Sequence, residues 1–293
     1  MPTLLPTLTG RTLTVDAALK HPTAIRDQIA KIADTQLVAP NFFHSLGNPV
    51  EGGGVLYQVL RASDQYSSDV EQRTPGQEYK VVEGVDPEQR LARVEDWGGK
   101  FKITDEQIER NDVSYLDMQT TQLANRIARK LDTRALSVLL DALDDDPAST
   151  VSGHSWGSLV LDGPLDQITP SASRPTADFA AAQLAADLEE LGVVHDTLVV
   201  HPTQAAALRT AYAEDIGKML EGAGLKLVSN TLVPVGSAFV AQAGEAGVIA
   251  FEKPVTVTTW RDEATRSTWV QSYAVPAFAV NKPAAVKLIN GLA

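Results

Sequence analysis

The sequence predicts an α+β fold, on three observations. An excursion of about fifty residues is rich in β-formers and charge but poor in core, a long amphipathic helix follows it directly, and a mixed helix–strand unit is closed by a C-terminal β-hairpin. The excursion runs from Gly52 to Ile103. Val55, Tyr57 and Val59 alternate with Leu56, Gln58 and Leu60, and Tyr79-Lys80-Val81-Val82, Leu91-Ala92-Arg93-Val94 and Phe101-Lys102-Ile103 form the return path, which predicts a long hairpin. Neither face is purely apolar, and eight acidic and four basic residues lie between Asp69 and Asp96. An isolated hairpin is marginal in water, so this one is expected to lie on a surface supplied by other subunits.

Residues 1–22 are rich in Thr, Leu and Pro without a clear period and read as an extended arm. Thr23 caps the first expected helix, in which Ile25, Ile29 and Ile32 recur at helical spacing until Pro40 stops the run. Gly52-Gly53-Gly54 permits a change of direction into the hairpin. Beyond it, Thr104-Asp105-Glu106-Gln107 has the form of a capping box and opens a short helix. A second start at Ser114 leads into a stripe of Leu116, Leu123, Ile127, Leu131, Ala135, Val138 and Leu139, with Arg126, Arg129, Lys130, Asp132 and Arg134 on the other side. It extends to Leu143, a rod of roughly 40–45 Å. Asp144-Asp145-Asp146-Pro147 ends it, and three carboxylates at a helix C-terminus are expected to be solvated rather than to hold a cation.

Residues 148–177 read as loop with a short strand at Leu159-Val160-Leu161. An alanine-rich helix opening at Thr176 or Asp178, a strand at Thr197–Val200, a helix entered through Pro202, and strands at Ala238–Ala241 and Val248–Phe251 make a mixed α/β unit over 178–254. The final section alternates through Val255, Val257 and Thr259, turns at Asp262–Thr265, and returns through Trp269, Gln271, Tyr273 and Val275.

With 293 residues, 44% of them hydrophobic, the chain can bury a core sufficient for one large or two modest domains. It has no cysteine, which removes thiolate nucleophiles, disulfides and cysteine metal sites. No apolar run approaches the ~18 residues of a membrane span, and the start lacks signal-peptide character, so a soluble protein made in the cytosol is expected. A net charge of −12 with 25 scattered basic residues argues against tight nucleic-acid binding. An acidic wall that encloses DNA without gripping it would let the polymer slide.

Gly153-His154-Ser155-Trp156-Gly157 matches the nucleophile elbow of the α/β-hydrolases, which would make Ser155 a nucleophile. Its context argues otherwise, since the preceding residues 147–151 are polar, Gly163-Pro164 breaks any following helix, and no histidine lies beyond His201. The five histidines lack metal-ligand spacing, and no phosphate-binding glycine motif is present. His201, before Pro202, is expected to make a local hydrogen bond. No cofactor, no metal and no catalysis are expected.

The order of arm, helix, charged hairpin, long helix, inserted α/β unit and closing hairpin resembles the major capsid proteins of tailed bacteriophages, the Hong Kong 97-type fold. Glu71-Gln72-Arg73-Thr74-Pro75-Gly76 and Tyr79-Lys80-Val81-Val82 look like the extended loop of that family, and 95–106 resembles its return strand entering the spine helix. Thr197–Thr203 is similar to the strand-to-helix junction of the axial domain, and Leu8-Thr9-Gly10-Arg11-Thr12-Leu13-Thr14 resembles segments of actinobacterial siphophage capsid proteins. The resemblance implies an N-terminal arm and first helix over 1–51, an extended loop over 52–103, a peripheral domain with the spine helix over 104–177, an axial domain over 178–254, and C-terminal strands over 255–293 completing the peripheral domain. It implies a shell of pentamers and hexamers enclosing double-stranded DNA in a virion, assembled in the host cytoplasm with a portal and with separate scaffolding or decoration proteins. Arg73, Glu78, Lys80, Glu83, Arg90 and Arg93 of the loop are the residues expected to contact neighbours. Some members join a loop lysine to a neighbour's asparagine, for which Lys80 and Asn281 or Asn290 are the corresponding residue types. An encapsulin nanocompartment shares the fold and is the alternative; a serine hydrolase using Ser155 is a remote one.

Overall fold

The computed structural model describes residues 15–20, 22–64, 66–164 and 166–293. The chain forms two compact units. One comprises Met1–Leu37, Glu95–Leu131 and Phe251–Pro276, the other Val38–Val94, Asp132–Ala250 and Ala277–Ala293.

In the first unit, helices α1 (Val15–Lys20) and α2 (Pro22–Gln36) bring Val15, Leu19, Ile25 and Ile29 into a core with Phe101, Ile103, Leu116, Ala124 and Val270. Val15–Lys20 is thus helical, where residues 1–22 read as an extended arm; the rest of that reading, and the segment Leu8–Thr14, lie outside the described residues. The amide of Val15 donates to Asn111 Oδ1 at 3.0 Å, satisfying one of the donors that a helix start leaves open.

The hairpin expected over 52–103 is shorter. Its ladder joins β2 (Gly54–Gln58) to β3 (Gln89–Arg93), and Trp97–Thr104 is a separate strand, β4, antiparallel to residues 267–274 of β10 (Ser267–Ala279). The reason is period-two burial: Phe101 and Ile103 point into the core while Lys100 and Lys102 face out. Gly98 is required by this pairing, because a Cβ there would lie 2.6 Å from Tyr273 Cβ. Gln107 Oε1 accepts the Thr104 amide at 3.0 Å, one half of the predicted capping box, and opens the short helix α3 (Asp105–Glu109).

The spine helix, α4 (Val113–Asp144), has 32 residues, about 48 Å of rise. Leu116, Ile127, Leu131, Ala135 and Leu139 of its stripe are buried and Leu123 and Val138 half-buried, but one residue of the opposite side is buried too. Asp132, placed by spacing on the polar side, is 3% exposed and accepts the amides of Val38 and Ala39 at 3.0 Å. Burial pushes its carboxyl up, opposed by those two donors. Where the carboxylates end the helix, Asp146 caps the following turn through the Ala148 amide at 3.1 Å, and Asp145 pairs with Arg90.

The second unit is built on a mixed sheet ordered β5 (Thr150–Ser152), β11 (Val286–Asn290), β8 (Ser237–Ala241), β6 (Thr197–Val200) and β7 (Lys226–Ser229). The short strand expected at Leu159–Leu161 is loop, and β5 takes its place because it pairs with the last strand of the chain. The helices α5 (Pro175–Asp187) and α6 (Pro202–Tyr212) supply Phe179, Ala182, Ala205 and Leu208 to a core that also holds Trp156 and Leu198, and α7 (Ile216–Ala223) packs Met219 and Leu220 against it. His201 Nδ1 accepts from the Thr203 amide at 3.3 Å, the local bond expected of it at the start of α6.

Strand β9 (Gly247–Asp262), whose first residues pair in parallel with the short β1 (Phe43–Ser45), runs unbroken for 16 residues, so the predicted strands at 248–251 and 255–259 are one. Of residues 255–293, read from the sequence as C-terminal strands of one domain, those up to Pro276 lie in the first unit and Ala277–Ala293 in the second, where β11 lies between β5 and β8. Five consecutive residues, Val286–Asn290, pair with Ser237–Ala241, which makes the last strand integral to that sheet.

Candidate subunit interface

The excursion projects from a short ladder whose register sets Gly54 opposite Arg93 and Tyr57 opposite Arg90. One further pair is closed when the Val59 amide donates to Glu88 O at 3.0 Å. Beyond it the two arms touch at Ser68, whose amide donates to Glu83 O and whose Oγ accepts the Glu83 amide, both at 3.0 Å. The tip is a turn over Thr74-Pro75-Gly76-Gln77, with the Gln77 amide donating to Thr74 O at 3.1 Å. Pro75 supplies the fixed φ of the first central position, and Gly76, at φ 93°, supplies the positive φ of the second, which is the demand of a type II turn.

At the root, Glu88 accepts from Arg61 at 3.1 Å and from Arg90 at 2.8 Å, and Arg90 reaches Asp145 at 2.8 Å. Hydrogen bonding to Arg90 holds the Glu88 carboxyl below its ordinary range, and the two carboxylates raise the Arg90 guanidinium. Leu60 donates its amide to Asn281 O at 2.7 Å, and Tyr66 its hydroxyl to Glu190 at 2.5 Å, a bond that raises the Tyr66 pKa.

Along the projecting part the apolar side chains face solvent: Val81 is 84% exposed, Val70 and Tyr79 each 75%, Leu56 67% and Val85 52%. At about 25 cal/mol per Å² this is surface whose removal from water would drive association. Of the charged residues singled out by the sequence, Glu78, Glu83 and Arg93 are exposed. Arg73 donates to Gln77 O at 3.0 Å and lies 4.9 Å from the Tyr79 ring, Lys80 pairs with Glu71 at 3.0 Å, and Arg90 is held at the root. Surface pairs such as Lys80–Glu71 contribute about 0–1 kcal/mol and exchange partners readily. The root network of Arg61, Glu88, Arg90 and Asp145 was not anticipated, since the approach of residue 145 to residue 90 has no local signal.

The Gly153–Gly157 segment lies in the second unit. A three-residue strand does precede Ser155, but it is the edge of its sheet, and turn rather than helix follows. His154 Nδ1 contacts Asp178 Oδ1 at 2.6 Å, and Asp178, 1% exposed, also accepts from Trp156 Nε1 at 2.8 Å and the His154 amide at 3.2 Å. Among the described residues no hydrogen bond joins His154 to Ser155. The arrangement locks Trp156 into the core against Phe179, with ring centroids 5.7 Å apart.

A projecting loop rooted on one unit, a spine helix and a five-stranded sheet define a protein of the Hong Kong 97-type capsid fold, and solved structures share it. The chain superposes on one titled "Microbacterium phage Oxtober96" with a TM-score of 0.60 at 12% identity, covering 87% of this chain and 91% of that one. For "Mycobacterium phage Adephagia" the TM-score is 0.57 at 15% identity, over 87% and 90%. A virus-like particle from Pyrococcus furiosus gives 0.59 at 11% identity, over 92% and 98%. A search of curated proteins returns no match. The family model for phage capsid protein matches residues 87–289, and the chain belongs to that family. It is a phage major capsid protein, a self-assembling shell subunit located in the virion capsid; this favours the phage shell over an encapsulin nanocompartment. Among the described residues no helix is long and apolar enough to cross a membrane.

Proposed function

We propose that the subunit assembles through pentamers and hexamers into an icosahedral shell that encloses double-stranded DNA without sequence-specific binding, and that the extended loop of each subunit rests on a neighbour. The observation that carries this reading is the exposure of Val70, Tyr79, Val81 and Val85 on a segment with no core of its own. Heterologous contacts that close make rings, and permanent interfaces of this kind bury about 2,000–5,000 Å². Arg73, Glu78, Lys80, Glu83 and Arg93 supply the polar part of the contact, while Arg90 fixes the root. The protein acts without catalysis, in the host cytoplasm during assembly, together with a portal and with scaffolding or decoration proteins. The net charge of −12 supports enclosure over gripping.

Deleting Asp64–Glu88 tests the reading. A folded subunit that forms no shells by electron microscopy is expected; shells at normal yield, or loss of the folded subunit, would show that the loop is not an assembly arm.

A further inference from the structure

The second unit carries a cavity of about 430 Å³ between α5 and α7. Phe179, Met219, Leu225 and Val240 make its wall largely apolar, and His195 also lines it. A volume of roughly 300–1,000 Å³ with few polar groups is the form of a small-molecule site.

Of the polar side chains around it, Thr176 and Lys218 are exposed, and Lys218 pairs with Asp215 at 2.7 Å. Gln183 is committed inward: its Nε2 donates to Asp187 and to Val193 O at 2.7 and 2.9 Å, and its Oε1 accepts the His195 amide at 3.0 Å. The His195 imidazole differs from these. It is 5% exposed, and neither ring nitrogen has a partner among the described residues. A buried polar group left unpaired costs free energy that a hydrogen bond would recover. Burial and the charge of Lys287 lower its pKa to about 4, so near neutral pH the ring is uncharged and offers one donor and one acceptor.

The α7 side of the cavity holds a glycine that the helix does not need. Gly222 lies within α7 without a positive φ, and glycine is the least favoured helix residue after proline. A Cβ built on it meets nothing within 4 Å, so the position leaves room that a larger side chain would take up.

We infer that this cavity binds a small uncharged molecule with an apolar body and one hydroxyl group, of the class of the alkylphenols, whose hydroxyl pairs with the His195 imidazole. An anion would find Lys218 already paired, and a hydrocarbon would leave His195 without a partner. The site lies within one subunit, so the inference is independent of the reading of the loop as an assembly arm.

The probes are p-ethylphenol and ethylbenzene, which share an apolar body and differ in the hydroxyl. Calorimetric titration of the full-length subunit is expected to show p-ethylphenol binding about tenfold more tightly, the worth of one net hydrogen bond, and the ring nitrogen resonances of His195 are expected to move with the phenol alone. His195→Leu should bring the two affinities together, and Gly222→Leu, folded by circular dichroism, should abolish both. No binding of p-ethylphenol at millimolar concentration, equal affinities in the wild type, or binding retained by Gly222→Leu would overturn the proposal. Binding by free subunits but not by assembled shells would assign the cavity to a side chain of a neighbouring subunit and likewise overturn it.

Discussion

His195 is 5% exposed, both its ring nitrogens lack partners among the described residues, and burial together with the charge of Lys287 lowers its pKa to about 4. Unfolded, it titrates near ~6.5. Between these values the unfolded chain binds the extra proton, so stability is unaffected above about pH 6.5 and falls as pH drops toward 4, by up to about 3 kcal/mol. Thermal melts of the subunit between pH 4 and 7 check this; the His195→Leu variant should show a shallower loss over that window. Asp132→Ala should cost about 2–4 kcal/mol, because it leaves two buried amides, of Val38 and Ala39, without their acceptor. Denaturant unfolding with an unchanged m-value would confirm it. The role of His201 was legible because Pro202 marks a helix start beside it. Those of Asp132 and Lys287 were not: Lys287 alternates within Val286–Asn290 as an outward residue would, yet it is fully buried, since Glu189 supplies a countercharge from 98 residues away.

At the scale of elements, the two arms of the loop are joined by five ladder positions, the Val59–Glu88 and Ser68–Glu83 hydrogen bonds and the Arg61–Glu88 ion pair, and Arg90 ties Glu88 to Asp145 at the root. Arg90→Ala should therefore accelerate amide exchange in Gly54–Gln58 and Gln89–Arg93 while leaving Thr197–Val200 unchanged, as hydrogen-exchange mass spectrometry would show. Long, strongly periodic elements were legible: the spine helix is bounded within a residue of Ser114–Leu143 because its stripe persists through it. Short strands were not. Lys226–Ser229 has four residues, and β11 follows Lys282-Pro283, which reads as an end to the closing hairpin rather than as entry into another sheet. The hairpin was overextended to Ile103 because Phe101 and Ile103 alternate equally well whether they pair within the loop or with Ser267–Ala274.

For the whole molecule, net charge bears on the proposed enclosure of DNA. A chain with 12 more acidic than basic residues gains little from counterion release, so the purified subunit should not retard duplex DNA at physiological salt, and opened shells should release DNA with little dependence on salt. A gel-shift titration measures both; a steep negative slope of binding against salt would contradict enclosure. Class and fold are legible in the order of elements, whereas the path of the last strand is not, because it is decided by pairing at long range with Ser237–Ala241.

That last strand bears on synthesis. Because Val286–Asn290 lies between β5 and β8, the five-stranded sheet cannot close until that strand has left the ribosome, long after β5, β6, β7 and β8. A product terminated before Val286 consequently lacks an interior strand of that sheet, leaving β5 and β8 without the partner that lies between them.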